Sequence, residues 1–174
     1  YDMALRVTRR PAPDLHSRVL APLRMCVVAS PGYLRGHSLP RQPAELSDHE
    51  CLLFSPEPDP TLWTFNGPGG NALHVQVRGA FRSNVMEPLH KMALHGLGIA
   101  HLPSFMVGQD VRNGRLVLLL SGWSAYEGAS IHAVWPARRR DSRKVGLFVD
   151  FLVDRFGADE PYWDRALRAQ VGEG

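Results

Sequence analysis

Eight histidines are the first residues of this 174-residue sequence that could hold a metal or move a proton. His90 and His95 are neighbours on an expected helix, but five positions turn their side chains about 140° apart. They cannot grip one ion as an i, i+4 pair can, the remaining histidines are scattered, and no metal site is expected. Cys26 and Cys51 have no metal-ligand spacing and read as two small buried hydrophobes. The sequence contains no Gly-x-Ser-x-Gly elbow, no catalytic cysteine signature and no suggestive carboxylate pair. No catalytic residue and no cofactor are therefore expected. The glycines of Gly67-Pro68-Gly69-Gly70-Asn71 are not followed by Lys-Ser/Thr or by a helix, so they read as a turn and not a phosphate loop. What remains is a pair of polar helix starts, Ser30-Pro31 and Ser83-Asn84. A helix N-terminus offers free N–H groups and the positive end of the helix dipole, and can hold a carboxylate or other anion. Plain capping explains the same residues.

The elements that would position these groups alternate in type. Strands are expected at Asp2–Val7, Leu23–Ala29, Cys51–Phe54, Leu62–Phe65, Leu73–Val77, Ile99–Leu102, Leu116–Leu120 and Ile131–Trp135. Ser30 caps a short helix with Pro31 at its first position, and Pro43–Leu46 makes a further helical turn. Asn84 is expected to cap a longer helix, with Glu87 closing a capping box, Val85, Leu89, Met92 and Ala93 on its core face, and Gly96 as its stop. Pro103 starts another short helix. A last strong helix runs from about 142 to 156, with Val145, Phe148, Val149, Leu152 and Phe156 as its core stripe. Asp159 could cap a final helix through about Gln170. Strands separated by helices over the whole length indicate an α/β fold.

Composition agrees with an ordinary globular chain: 44% of residues are hydrophobic and 21% charged. No apolar run approaches the roughly 20 residues of a membrane span, and no signal peptide is visible at Tyr1–Arg6, so no membrane association is expected. Net charge is +3, but the one dense basic cluster, Arg138-Arg139-Arg140 with Arg143 and Lys144, has no interleaved aromatic residues and reads as a solvated turn.

With these landmarks in place the sequence resembles the C-terminal, effector-binding part of LysR-type transcription regulators. Asp2-Met3-Ala4-Leu5-Arg6 is similar to the family's opening strand. Leu20-Ala21-Pro22-Leu23 leads into Ala29-Ser30-Pro31-Gly32-Tyr33-Leu34. Pro43-Ala44-Glu45-Leu46, then His49-Glu50-Cys51-Leu52, then Trp63-Thr64-Phe65 follow in the family's order. Ser83-Asn84, Gly96-Leu97-Gly98-Ile99-Ala100 with Leu102-Pro103, and Gly114-Arg115-Leu116-Val117 complete the set. The match extends to about Phe156, and its strength lies in order and spacing.

The resemblance implies a two-lobed α/β fold of the type 2 periplasmic-binding-protein kind, with residues 1–29 and 125–174 in a first, incomplete lobe and 30–124 in the second. Leu23–Ala29 and the segment near Ser121–Ile131 would be the crossings. It implies no enzyme but a sensor that binds a small, often anionic effector between its lobes. Arg6, Val7 and Thr8 would serve from the first lobe, Ser30 at the crossover, and Ser83, Asn84 and Val85 from the second. The full-length protein would be a cytoplasmic homodimer or tetramer that touches DNA only through an N-terminal domain outside this chain. An extracytoplasmic solute-binding protein of the same fold is the alternative.

Overall fold

The computed structural model describes residues 2–67, 70–125, 129–137, 142–157, 160–165 and 167. Contacts divide the chain into two units, Tyr1–Leu23 with Glu127–Arg165, and Arg24–Tyr126 with Ala166–Gly174.

The first unit is built on a three-stranded antiparallel sheet. Strands β1 (Ala4–Thr8) and β2 (Leu15–Pro22) flank β11 (Ser130–Pro136). Helix α4 (Arg143–Phe156) lies on one face. Val145, Val149 and Leu152 go under, against Leu20, Ala21, Ile131 and Ala133, each contributing about 1.5–3 kcal/mol of apolar burial. Gly157 ends the helix in the left-handed region at φ 72°. Two expectations are corrected here. Leu15–Pro22 is a strand where none was expected, because its exposed stretch (Ser17, Arg18, Val19) carries no hydrophobic alternation. Phe148 is 49% exposed and stacks on Phe151 at 6.2 Å instead of joining the core. The buried stripe is the narrower line through Val145, Val149 and Leu152, which leaves Phe148 on the flank. The arginine run 138–140 and the cap at Asp159 fall outside the described residues.

The second unit carries an eight-stranded sheet. Its strands are β3 (Met25–Ala29), β4 (Cys51–Phe54), β5 (Leu62–Asn66), β6 (Ala72–Gln76), β7 (Arg82–Ser83), β8 (Ile99–Pro103), β9 (Val117–Leu119) and β10 (Ser124–Ala125). The order is β6-β5-β10-β3-β8-β4-β7, with β9 paired to β3. β4 is parallel to both β7 and β8, β3 is antiparallel to β8, and β5 and β6 form the expected hairpin. A short helix α1 (Pro31–Leu34), a 3-10 turn at Pro43–Asp48, α2 (Met86–Leu94) and α3 (Ser104–Arg112) complete it. One side of the sheet packs Val27, Cys51, Leu53, Trp63, Phe65 and Ile99 together. The other packs Cys26, Val28, Leu52 and Leu102 against Leu89, Ala93, Val107 and Val111 of α2 and α3. Both cysteines are buried and reduced, on opposite sides of the sheet.

Candidate functional site

The polar start of α2 is built by the backbone of its neighbours. β7 runs beside the end of β4, with Leu53 opposite Arg82 and Phe54 opposite Ser83. Leu53 N–H donates to Phe81 O at 3.0 Å and Ser55 N–H to Ser83 O at 2.9 Å, so Ser83 is hung from the strand end. Its hydroxyl then closes a local turn, donating to Val85 O at 2.8 Å and accepting from Val85 N–H at 3.1 Å. Val85 stays extended (φ −124°, ψ 134°) and is the N-cap residue of α2.

That geometry overturns the expected capping box. Asn84 precedes the cap, and the N-cap makes no side-chain hydrogen bond. Glu87 lies beside Lys91, at 3.5 Å, instead of reaching back. The physical reason is that Ser83 takes Val85 N–H first, which delays the helix by one residue. Val85, expected on the core face, is 53% exposed, and Met86 packs inward in its place. With no cap side chain and a proline at position 88, the first turn presents the N–H groups of Met86 and Glu87. Sequence reading missed these two donors; the proline two residues after Met86 was the signal that the open end is short.

Ser30 does not share this place. Its side chain caps α1 by accepting from Tyr33 N–H at 3.2 Å, and it is buried. The backbone of Gly96 (φ +79°) closes over the hydroxyl, such that a Cβ there would sit 3.3 Å from Oγ. The register puts Met25 opposite Pro103, Val28 opposite Ala100, and Leu52 beside Ala100. Ser83, beside Phe54, is thus level with Cys26, four residues before Ser30. At about 3.3 Å per residue along the strands, and three strand spacings of about 4.8 Å across them, the two serines stand at opposite ends of the sheet. One small molecule cannot touch both. In this structure the Ser30 hydroxyl serves as the cap of α1.

Arg6, Val7 and Thr8 belong to the first unit, on its edge strand β1, where they lie opposite His132, Ile131 and Ser130. Arg6 and Val7 are exposed. Thr8 has its hydroxyl engaged in a turn, donating to Arg10 O at 2.8 Å and accepting from Arg10 N–H at 3.2 Å.

The titratable groups of the second unit serve its packing. His90 Nε2 meets the buried Asp110 Oδ2 at 2.6 Å, and Arg115 pairs with the other oxygen. Tyr33 O–H lies 3.2 Å from His49 Nδ1 and accepts from Glu50 N–H. Burial raises the Tyr33 phenol, and burial followed by the neighbouring His37 lowers the His49 imidazole. Among the described residues no group of three or more His, Cys, Asp or Glu side chains could hold a metal. Among the same residues no helix is long and apolar enough to cross a membrane.

Comparison with known proteins agrees with this architecture. The family model described as the LysR substrate binding domain matches residues 1–157. The HTH-type transcriptional regulator PtxR of Pseudomonas aeruginosa is 34% identical over 161 residues, covering 92% of this chain and 51% of that protein. The HTH-type transcriptional regulator CrgA of Neisseria meningitidis serogroup C is 31% identical over 156 residues, covering 90% and 52%. The chain thus spans about half the length of the curated relatives it matches. Among solved structures, the regulatory domain of CrgA from Neisseria meningitidis superposes with a TM-score of 0.76 at 31% identity, covering 90% of this chain and 75% of that one. Full-length AphB of Vibrio cholerae gives 0.75 at 28%, covering 88% and 51%. These relatives are transcription regulators and not enzymes, and their regulatory domains have the two-lobed periplasmic-binding-protein-like fold. The chain belongs to the LysR substrate binding domain family.

Proposed function

We propose that this chain is the effector-sensing part of a cytoplasmic LysR-type transcription regulator, binds a small anionic metabolite and catalyses no reaction. The observation that carries the reading is the start of α2. A nine-residue helix begins there with two N–H donors that no cap side chain takes, flanked by the exposed Asn84 and Val85, and such an end attracts a carboxylate. Ser83 holds this turn in place. Arg6, Val7 and Thr8 are further proposed effector contacts, with the Arg6 guanidinium as a counter-charge. In the longer protein, homodimers or tetramers read the occupied state, and DNA is reached through a segment outside this chain. The extracytoplasmic solute-binding alternative is disfavoured, because the relatives are named as HTH-type transcriptional regulators.

The test is a thermal-shift screen of this chain against small carboxylates, aromatic acids and amino acids. A compound at about a hundred times its dissociation constant adds about 2.7 kcal/mol, easily seen as a dose-dependent rise in Tm. The hit is then repeated on Asn84→Ala and Arg6→Ala. Loss of the response in both supports the placement; an unchanged response in both sinks it.

A further inference from the structure

His101 lies on β8, directly across from Val27 of β3. Its ring is enclosed by the hairpin: Trp63 of β5 packs at 5.2 Å between centroids and Phe65 at 6.1 Å. The residue as a whole keeps a partly exposed edge, yet Nε2 is sealed from solvent and has no hydrogen-bond partner. Buried ring nitrogens are nearly always paired, and an unpaired one calls for an explanation.

The surroundings tolerate only a neutral ring. On this side of the sheet β3 presents Val27, β4 presents Cys51 and Leu53, β5 presents Trp63 and Phe65, and β9 presents Leu119. Cys51 and Tyr33 are the titratable side chains of this cluster; burial pushes the thiol up to about 12 and raises the phenol, so both stay uncharged. No described charged group acts on His101; burial alone pulls the imidazole from 6.5 down to about 4. A proton taken up there would be an uncompensated charge in an apolar cluster.

The parts that could move to relieve such a charge are unequal. β3, β8 and β4 each have partners on both sides. Among the described residues the hairpin pairs with the rest of the sheet through the two-residue strand β10, where Asn66 and Phe65 pair with Ser124 and Ala125; its outer strand β6 is largely exposed and packs beside the turn Pro43–Asp48. The hairpin is therefore the part that yields with least loss of pairing.

We propose that the β5–β6 hairpin is a proton-released latch, closed over neutral His101 and lifted when that imidazole is protonated. The relevant range lies below pH 6.5, where a solvent-exposed histidine gains its proton and the sealed one does not. There the open population rises about tenfold for each unit of acidification until the closed form itself titrates.

Hydrogen exchange of the whole chain between pH 7.5 and 4.5, corrected for the intrinsic pH dependence of exchange, tests this. The expected result is a loss of protection of about tenfold per pH unit in the hairpin strands, Leu62–Asn66 and Ala72–Gln76, while β4 and β8 hold theirs. His101→Leu, which cannot be protonated, should flatten the slope; His101→Asn is the second neutral variant should the first fail to fold. An undiminished slope in the neutral variant, or an equal loss in β4 and β8, would overturn the latch.

Discussion

His90 Nε2 and Asp110 Oδ2 stand 2.6 Å apart, joining α2 to α3 on the side of the larger sheet that these helices cover. Asp110 also pairs with Arg115 and is itself buried. Its carboxylate therefore organises three segments. Asp110→Ala should lower stability by about 2–3 kcal/mol, the scale of a hydrogen-bonded charge lost from a buried position. Arg115→Ala, at the exposed end of the network, should cost under about 1 kcal/mol. Urea denaturation followed by circular dichroism separates the two; equal losses would mean that the network is not centred on Asp110.

The start of α2 permits a second separation. Asn84 caps nothing, whereas the Ser83 hydroxyl bonds both the N–H and the C=O of Val85. Asn84→Ala should leave the melting temperature within the range of a neutral surface change, below about 0.5 kcal/mol. Ser83→Ala should cost about 1 kcal/mol, as loss of a helix-start hydrogen bond does. A large destabilisation by Asn84→Ala would restore the capping role that the geometry denies it.

How far the sequence was legible depends on what each signal measures. Cys51–Phe54, the β5–β6 hairpin and the helix ending at Phe156 were readable because apolar runs, glycine turns and a 3.6-residue stripe all report burial, and burial forms these elements. β2 escaped because its outer residues are exposed. The candidate site was harder to read. Ser30-Pro31 and Ser83-Asn84 look alike as helix starts, and no local pattern says at which end of a sheet a helix begins. Only the register, antiparallel for β3 and parallel for β4, separates them.

Cys51 should be chemically silent. It has no exposed surface and its thiol sits near 12, so at pH 8 only about one molecule in ten thousand carries the thiolate that reacts. A thiol reagent at pH 8 should leave Cys51 unlabelled in the native chain and label it fully in urea. Because Cys26 faces the other side of the sheet, oxidation should not join the two within one chain. Rapid native labelling mapped to Cys51 by mass spectrometry would contradict the packing.

Stability should fall on acidification. The folded chain holds His101 near 4, below its unfolded value of 6.5, and His49 is lowered as well. A histidine kept neutral by folding contributes fully above pH 6.5, and that contribution is lost as pH falls from there towards 4. For His101 the loss approaches about 3 kcal/mol. Urea midpoints between pH 7.5 and 4.5 should show it, and His101→Leu should remove most of the slope.

Gly79 passes so close to β4 that a Cβ would lie 1.7 Å from Cys51 O. Gly79→Ala must push backbone apart where Cys51 N–H donates to Arg78 O at 2.8 Å. The expected loss is above about 3 kcal/mol, among the larger effects of a single substitution. A variant that expresses and melts like the parent would show that this approach is not real.

The turn at Arg82–Val85 is suspended from β4 by main-chain bonds, with the Ser83 hydroxyl closing it by side-chain hydrogen bonds to Val85. Exposed neighbours at 82, 84 and 85 can therefore change identity while the loop keeps its course. In evolutionary terms the scaffold and the proposed recognition surface are uncoupled at this point. New side chains can be tried there one at a time, and a protein that acquires a different molecular preference need not first survive the loss of its fold.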